Sequence, residues 1–139
     1  MFHRLFAVTL FAILVGGHVA QLFAAEPPAV ALWSFDGDLV DRSGRGNDAF
    51  AESDSFTVGH SGQGFQCDGR AVVVPDSPEL RPAPGLRIEC WAKFETIGTS
   101  WQPLLIKDGE YQLRLDPPRE GGQSSFFLHM DGWEPRVRS

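Results

Sequence analysis

Pro103-Leu104-Leu105-Ile106-Lys107, then Asp108-Gly109, then Glu110-Tyr111-Gln112-Leu113-Arg114-Leu115 reads as two short strands and the turn between them. A two-residue type I′ turn requires φ > 0 at both central positions, which Asp tolerates and Gly adopts freely, so Asp-Gly between apolar runs is a strong local hairpin signal. The dipeptide recurs at Asp36-Gly37, Asp68-Gly69 and Asp131-Gly132, each time after a run with strand character. Repeated turn chemistry of this kind points to an antiparallel β architecture.

Just upstream of the hairpin, residues 86–95 alternate without a fault. Leu86, Ile88, Cys90, Ala92 and Phe94 fall on one side, and Arg87, Glu89, Trp91, Lys93 and Glu95 on the other. On a helix this spacing would scatter charge over every face, whereas on a strand it separates one apolar face from one solvated face. Shorter stretches with the same period occur at Phe65 and Cys67, at Tyr111, Leu113 and Leu115, and at Phe126, Leu128 and Met130. The segments between, 41–48, 53–64, 75–85 and 116–125, are short and turn-rich. Ten prolines and fifteen glycines are spread through the chain, and after the N-terminal apolar stretch no three turns of helical periodicity occur. Many short strands with Gly/Pro punctuation predict an antiparallel sandwich or barrel. The expected strands lie near residues 30–35, 64–68, 70–74, 86–95, 102–107, 110–115 and 124–130.

The N-terminus has a different character. Met1 to Arg4 supply a short positive end, Leu5 to Val15 are apolar apart from Thr9, and small residues follow at Ala20, Ala24 and Ala25. This is the layout of a secretory signal peptide, with residues 1–25 removed on export to a periplasmic or extracellular location. Gly16, Gly17, His18 and Gln21 interrupt the apolar stretch well short of the roughly 20 residues of a membrane span. The remainder, 26–139, is the size of one domain. Without Arg4 it carries eleven Lys+Arg against eighteen Asp+Glu, a formal charge of −7. An acidic surface repels phosphate and argues against nucleic acid or an anionic membrane as partner.

Cys67 and Cys90 are the two cysteines. Export permits a bridge between them, and two small hydrophobes on apolar strand faces is the alternative reading. Gly44-Arg45-Gly46-Asn47-Asp48-Ala49 matches the dinucleotide fingerprint letter for letter, but polar Asp41-Arg42-Ser43 precedes it and no helical pattern follows, so the context that gives that motif its chemistry is missing. Gly59-His60-Ser61-Gly62-Gln63 lacks the last glycine of a nucleophile elbow. After residue 25 only His60 and His129 could serve a triad, and each reads as a turn or sheet-surface residue.

Glycoside hydrolysis needs two carboxylates roughly 5 to 9.5 Å apart across one bond. Glu52-Ser53-Asp54-Ser55-Phe56-Thr57 begins like the Glu-x-Asp-x-x-Glu strand of sandwich-fold glycanases, but Thr57 stands where the third acid would be. Asp36, Asp38 and Asp41 cluster within six residues. They could contribute to a calcium site, although that ion takes six to eight oxygens, and side chains bonded to their own turn backbone is the simpler reading.

Two stretches resemble a known family. Leu32-Trp33-Ser34-Phe35-Asp36-Gly37-Asp38-Leu39-Val40-Asp41-Arg42-Ser43-Gly44-Arg45-Gly46-Asn47-Asp48-Ala49 is similar to the opening strand and loop of a laminin G-like domain of the concanavalin A-like lectin/glucanase superfamily. Gly62-Gln63-Gly64-Phe65-Gln66-Cys67-Asp68-Gly69, then Val72-Val73-Val74-Pro75, then Leu86-Arg87-Ile88-Glu89-Cys90-Trp91-Ala92-Lys93-Phe94 resembles that family's next strands. The resemblance spans about residues 29–138 and implies an all-β, antiparallel jelly-roll sandwich. Strands that complete both sheets in the family have no counterpart before Ser139, so the domain reads as incomplete, truncated at the C-terminal end.

Fold alone does not set function. With no paired acids in the family positions, the expectation is a non-catalytic, exported binding or adhesion module for a carbohydrate or an extracellular protein. A divergent glycanase and an inactive domain fragment are the alternatives. Sugar recognition needs a flat apolar surface beside directional polar groups. Trp101, on the approach to a strand, and Trp133, after the last Asp-Gly, are the candidate ligand-binding residues, while Trp33 and Trp91 read as core or sheet-face residues.

Overall fold

The computed structural model describes residues 3–4, 27–81, 85–129, 132 and 136–139. The chain divides into two compact units, one of Leu10–Leu86 and one of Arg87–Ser139 together with Met1–Thr9. In chain order the strands are β1 (His3–Arg4), β2 (Phe56–Val58), β3 (Gln63–Phe65), β4 (Trp91–Ala92), β5 (Gln102–Lys107), β6 (Tyr111–Leu115), β7 (Ser124–Leu128) and β8 (Arg136–Arg138). Every ladder among the described residues is antiparallel. Helical structure there is confined to 3₁₀ turns at Pro78–Leu80 and Pro118–Glu120. The chain is mostly β, as its turn chemistry and period-two patterning predict, and no described helix is long and apolar enough to cross a membrane.

In the unit Leu10–Leu86, β2 and β3 form a hairpin closed by Gly59 N–H donating to Gly62 O at 3.0 Å. Gly62 has φ 65, and a Cβ there would sit 2.7 Å from Asp36 Oδ1, so glycine is required for two reasons. Phe56 and Phe65 are directly paired and their rings meet edge-to-face at 5.8 Å, with Phe35 at 6.2 Å from Phe65. The expected loop over 53–64 thus contains a strand that its polar start conceals. The expected strands at 30–35 and 70–74 shrink to single bridges, Trp33 with Asp41 and Val73 with Phe50. At Leu32 the reason is visible, since its N–H donates to the Asp41 carboxylate at 2.9 Å rather than to a ladder.

Asp41 organises that loop. Its buried carboxylate accepts from the N–H groups of Leu32, Ser43 (2.8 Å) and Asn47 (3.0 Å) and from Ser43 Oγ (2.8 Å). Burial alone would raise its pKa, but these donors outweigh it and hold the carboxyl well below the ordinary carboxylate range. Trp33 Nε1 donates to Asn47 O (2.9 Å) and Asn47 Nδ2 to Val30 O (2.8 Å), cross-bracing the loop. The stretch that mimics a dinucleotide fingerprint is therefore coil wrapped around a carboxylate, with Gly44 and Gly46 at φ 79 and 78.

In the other unit, β5, β6, β7 and β8 form one sheet in that order, and β1 pairs with β4. The β5–β6 hairpin forms where the sequence places it, but with a different turn. Lys107 pairs with Tyr111, which leaves three residues in the loop, and Glu110 N–H donates to Lys107 O at 3.0 Å. Gly109 has φ 71 while Asp108 is outside the positive-φ region, so the turn has the one left-handed residue of type II, not the two of type I′. Asp36-Gly37 and Asp68-Gly69 lie in bends outside any ladder, with Asp36 Oδ1 accepting from Gln63 N–H at 2.8 Å.

Over 86–95 the less exposed residues are Leu86, Ile88, Cys90, Ala92 and Phe94, the apolar set, and all five are half-buried. Arg87 and Glu89 meet at 2.5 Å on the solvated side, as residues two apart on an extended chain should. A ladder forms only at Trp91–Ala92. The final strand, β8, pairs with Ser125, Phe126 and Phe127 of β7. Cys67 and Cys90 are free thiols, and Cys67 is exposed rather than on an apolar face.

Candidate functional site

Strand register decides what lies around Trp101. Tyr111, Leu113 and Leu115 are buried on one face of β6 and pair with Leu128, Phe126 and Ser124 of β7. The opposite face carries Gln112 and Arg114 of β6, Ser125 and Phe127 of β7, and Arg136 and Arg138 of β8, with Arg114 paired to Ser125 and Phe127 to Arg136. Phe127 is only 5% exposed although the face it lies on carries three arginines. The guanidinium groups of Arg114 and Arg136 cover its ring at 4.4 and 5.0 Å, their planar heads supplying both apolar cover and cation–π attraction.

These arginines are held by Asp116, whose side chain is fully buried at the end of β6. It accepts from Arg114 Nε at 3.0 Å, from Ser125 Oγ and from Arg136 Nη2, and Arg138 Nε lies 3.8 Å away. Burial pushes the Asp116 carboxyl up, yet the hydrogen bonds from Ser125, Arg114 and Arg136 and the Arg136 charge bring it below its ordinary value. Pro117, the 3₁₀ turn at Pro118–Glu120, and Gly121 at φ 100 then reverse the chain, and Asp116 N–H donates to Gln123 O at 2.8 Å to close the loop into β7.

That turn places Glu120 and Arg119 beside Trp101. The indole Nε1 donates to Glu120 Oε1 at 2.9 Å. Arg114 lies 4.8 Å and Arg119 5.6 Å from the indole ring centroid, and Arg119 Nη1 also donates to Thr99 O. Glu120 is shared further with Arg136 and Arg138, at 3.4 and 3.8 Å. The ring is thus fixed at its polar edge and flanked by cations, and the residue remains 50% exposed. Such an arrangement can stack a flat or CH-rich partner while offering charged donors at the rim.

Of the two tryptophans singled out in the sequence, Trp101 lies in this cluster and Trp133 lies outside the described residues. Trp33 is half-buried and Trp91 is 48% exposed on its sheet face. Glu52 and Asp54 are exposed in coil. Asp38 Oδ1 accepts from Val40 N–H at 3.2 Å and its Oδ2 pairs with Arg42, so Asp36, Asp38 and Asp41 each face a different partner. Among the described residues no group of three or more His, Cys, Asp or Glu is placed to hold a metal ion. His129 is exposed, with Nδ1 3.0 Å from Gly109 O beside the hairpin turn. The Asp116–Arg114–Arg136 cluster left no trace in sequence reasoning. Arg114 and Arg136 are far apart in the chain, and only the β6–β7–β8 register brings them together.

No protein-family model, no curated protein and no solved structure matches this chain.

Proposed function

We propose that this protein is an exported, non-catalytic binding module of the laminin G-like, concanavalin A-like jelly-roll type, and that Trp101 is its principal ligand contact. The single observation that carries the reading is the half-exposed indole locked to Glu120 by its Nε1. A solvent-facing aromatic that is held in place loses little conformational freedom on binding, which favours it as an anchor. The surrounding acids support binding over glycoside hydrolysis. A general acid needs a raised pKa, whereas Asp116 is held ionised by its arginines and Glu120 is engaged by Trp101, Arg136 and Arg138.

Wild type, Trp101→Ala and Trp133→Ala compared on a glycan array test the proposal. Loss of the Trp101 ring should weaken binding by about 0.5 to 1.5 kcal/mol beyond the lost contact area, with the unfolding transition retained. Unchanged binding by Trp101→Ala would remove Trp101 from the site. Absence of glycan binding by wild type, with reducing sugar released from a polysaccharide panel instead, would favour the glycanase reading.

A further inference from the structure

We propose that the Trp101 platform is specific for an acidic sugar, a uronic acid residue whose ring stacks on the indole while its carboxylate is taken by Arg119; the inference rests on the binding-module reading above. Three observations converge. The contact network around Trp101 holds four arginines, Arg114, Arg119, Arg136 and Arg138, against two carboxylates, Asp116 and Glu120. This local excess of positive charge stands on a chain whose formal charge is −6, so the patch has the sign opposite to the whole molecule. A steering field of that kind selects anions locally while the remaining surface repels them.

The second observation is how the four cations are used. Arg114 and Arg136 are largely buried and committed to Asp116, and Arg138 is placed toward Asp116 and Glu120. Arg119 is different. It is exposed, it reaches the Trp101 ring and the Thr99 carbonyl, and among the described residues it has no carboxylate partner. The guanidinium fork matches a carboxylate bidentately, a geometry that ammonium groups cannot reproduce.

The third observation is position. Arg119 lies on the Pro118–Glu120 turn, one residue before the Glu120 that fixes the indole, so the charged donor and the anchor of the stacking surface are carried by one short turn. A sugar on the exposed part of the indole would lie beside Arg119, whose guanidinium is 5.6 Å from the ring centroid. A neutral sugar would gain the stacking contact alone.

The test uses the purified full chain with polygalacturonate, the same polymer fully methyl-esterified, a sulfated galactan and a neutral galactan. Polygalacturonate should bind at least about tenfold more tightly than its methyl ester, the scale expected for one charge-assisted hydrogen-bonded pair, and the preference should weaken with added salt. Arg119→Gln should abolish the preference with an unchanged unfolding midpoint, Arg119→Lys should restore part of it, and Trp101→Ala should reduce binding to the acidic and esterified polymers alike. Equal binding to acid and ester, or binding to neutral glycans only, would overturn the acidic-sugar inference and leave the binding module standing. Sulfated galactan bound as tightly as polygalacturonate would also overturn it, showing recognition of charge without the carboxylate. Failure to bind any of the four polymers would overturn the acidic-sugar inference, and the glycan array would then decide separately whether the module binds carbohydrate at all.

Discussion

Replacing Asp116 by Asn keeps the shape of the side chain and removes the charge on which Arg114 and Arg136 converge. The Asp116 side chain is fully buried, and Arg114 and Arg136 have side chains only 13% and 18% exposed. Removing one partner of a buried ion pair costs about 3–5 kcal/mol, because the remaining charge stays buried and uncompensated. Two features reduce that loss: Arg136 keeps Glu120 at 3.4 Å and Ser125 Oγ at 3.0 Å, and Arg114 keeps its stack on Trp101 and Phe127. The Asn amide, however, turns N–H donors toward arginine donors. The expected loss is therefore near the lower end of the range, about 3 kcal/mol, which lowers the midpoint by roughly 12–24 °C for a domain of about 100 residues.

Urea unfolding followed by circular dichroism measures this loss, and hydrogen exchange of peptides spanning β6, β7 and β8 shows where it falls. The sign of the pH dependence follows from the direction of the shift. The folded Asp116 pKa lies below its unfolded value, so the stabilisation is present above the ordinary Asp pKa of about 3.9 and is lost as pH falls through the folded pKa. Wild type should lose its advantage over Asp116→Asn as the solution is acidified below about pH 4. A loss under about 1 kcal/mol at neutral pH, or a difference between the two proteins that grows on acidification, would refute the view that this carboxylate holds the last three strands together.

Asp41→Asn should loosen the loop over residues 32–49 by about 2 kcal/mol, since a charged acceptor of four hydrogen bonds becomes a neutral one; faster exchange at the Leu32, Ser43 and Asn47 amides is the readout, and unchanged exchange would deny Asp41 its organising role. Asp41 is also shifted downward, so its contribution disappears in the same direction, on acidification below its unfolded pKa. Under non-reducing conditions a maleimide should label both cysteines, Cys67 before the half-buried Cys90, and both more slowly than a free thiol at neutral pH, because burial raises each pKa. A product with no reactive thiol would show a disulfide.

The antiparallel β character, the alternating faces of 86–95 and the β5–β6 hairpin were legible in the chain itself, because period-two patterning and Asp-Gly turn chemistry act over a few neighbouring residues. Trp101 could be singled out for the same reason, as a large aromatic at the start of a strand. Other features depended on where backbone hydrogen bonds go. The strand expected at 30–35 became a single bridge because a carboxylate nine residues away takes the Leu32 N–H, and no local pattern announces that competition. The turn at Asp108-Gly109 was visible while its type was not, since the Lys107–Tyr111 pairing, not the dipeptide, sets the loop length. The cluster around Asp116 belongs wholly to tertiary structure. Pairing Arg114 with Ser125 and Phe127 with Arg136 places three arginines, a serine and a buried phenylalanine on one face, and a register slip of one residue would exchange that face for Leu113, Phe126 and Val137. The residue types were in the sequence, but their meeting at one carboxylate beside Trp101 was decided by the ladder.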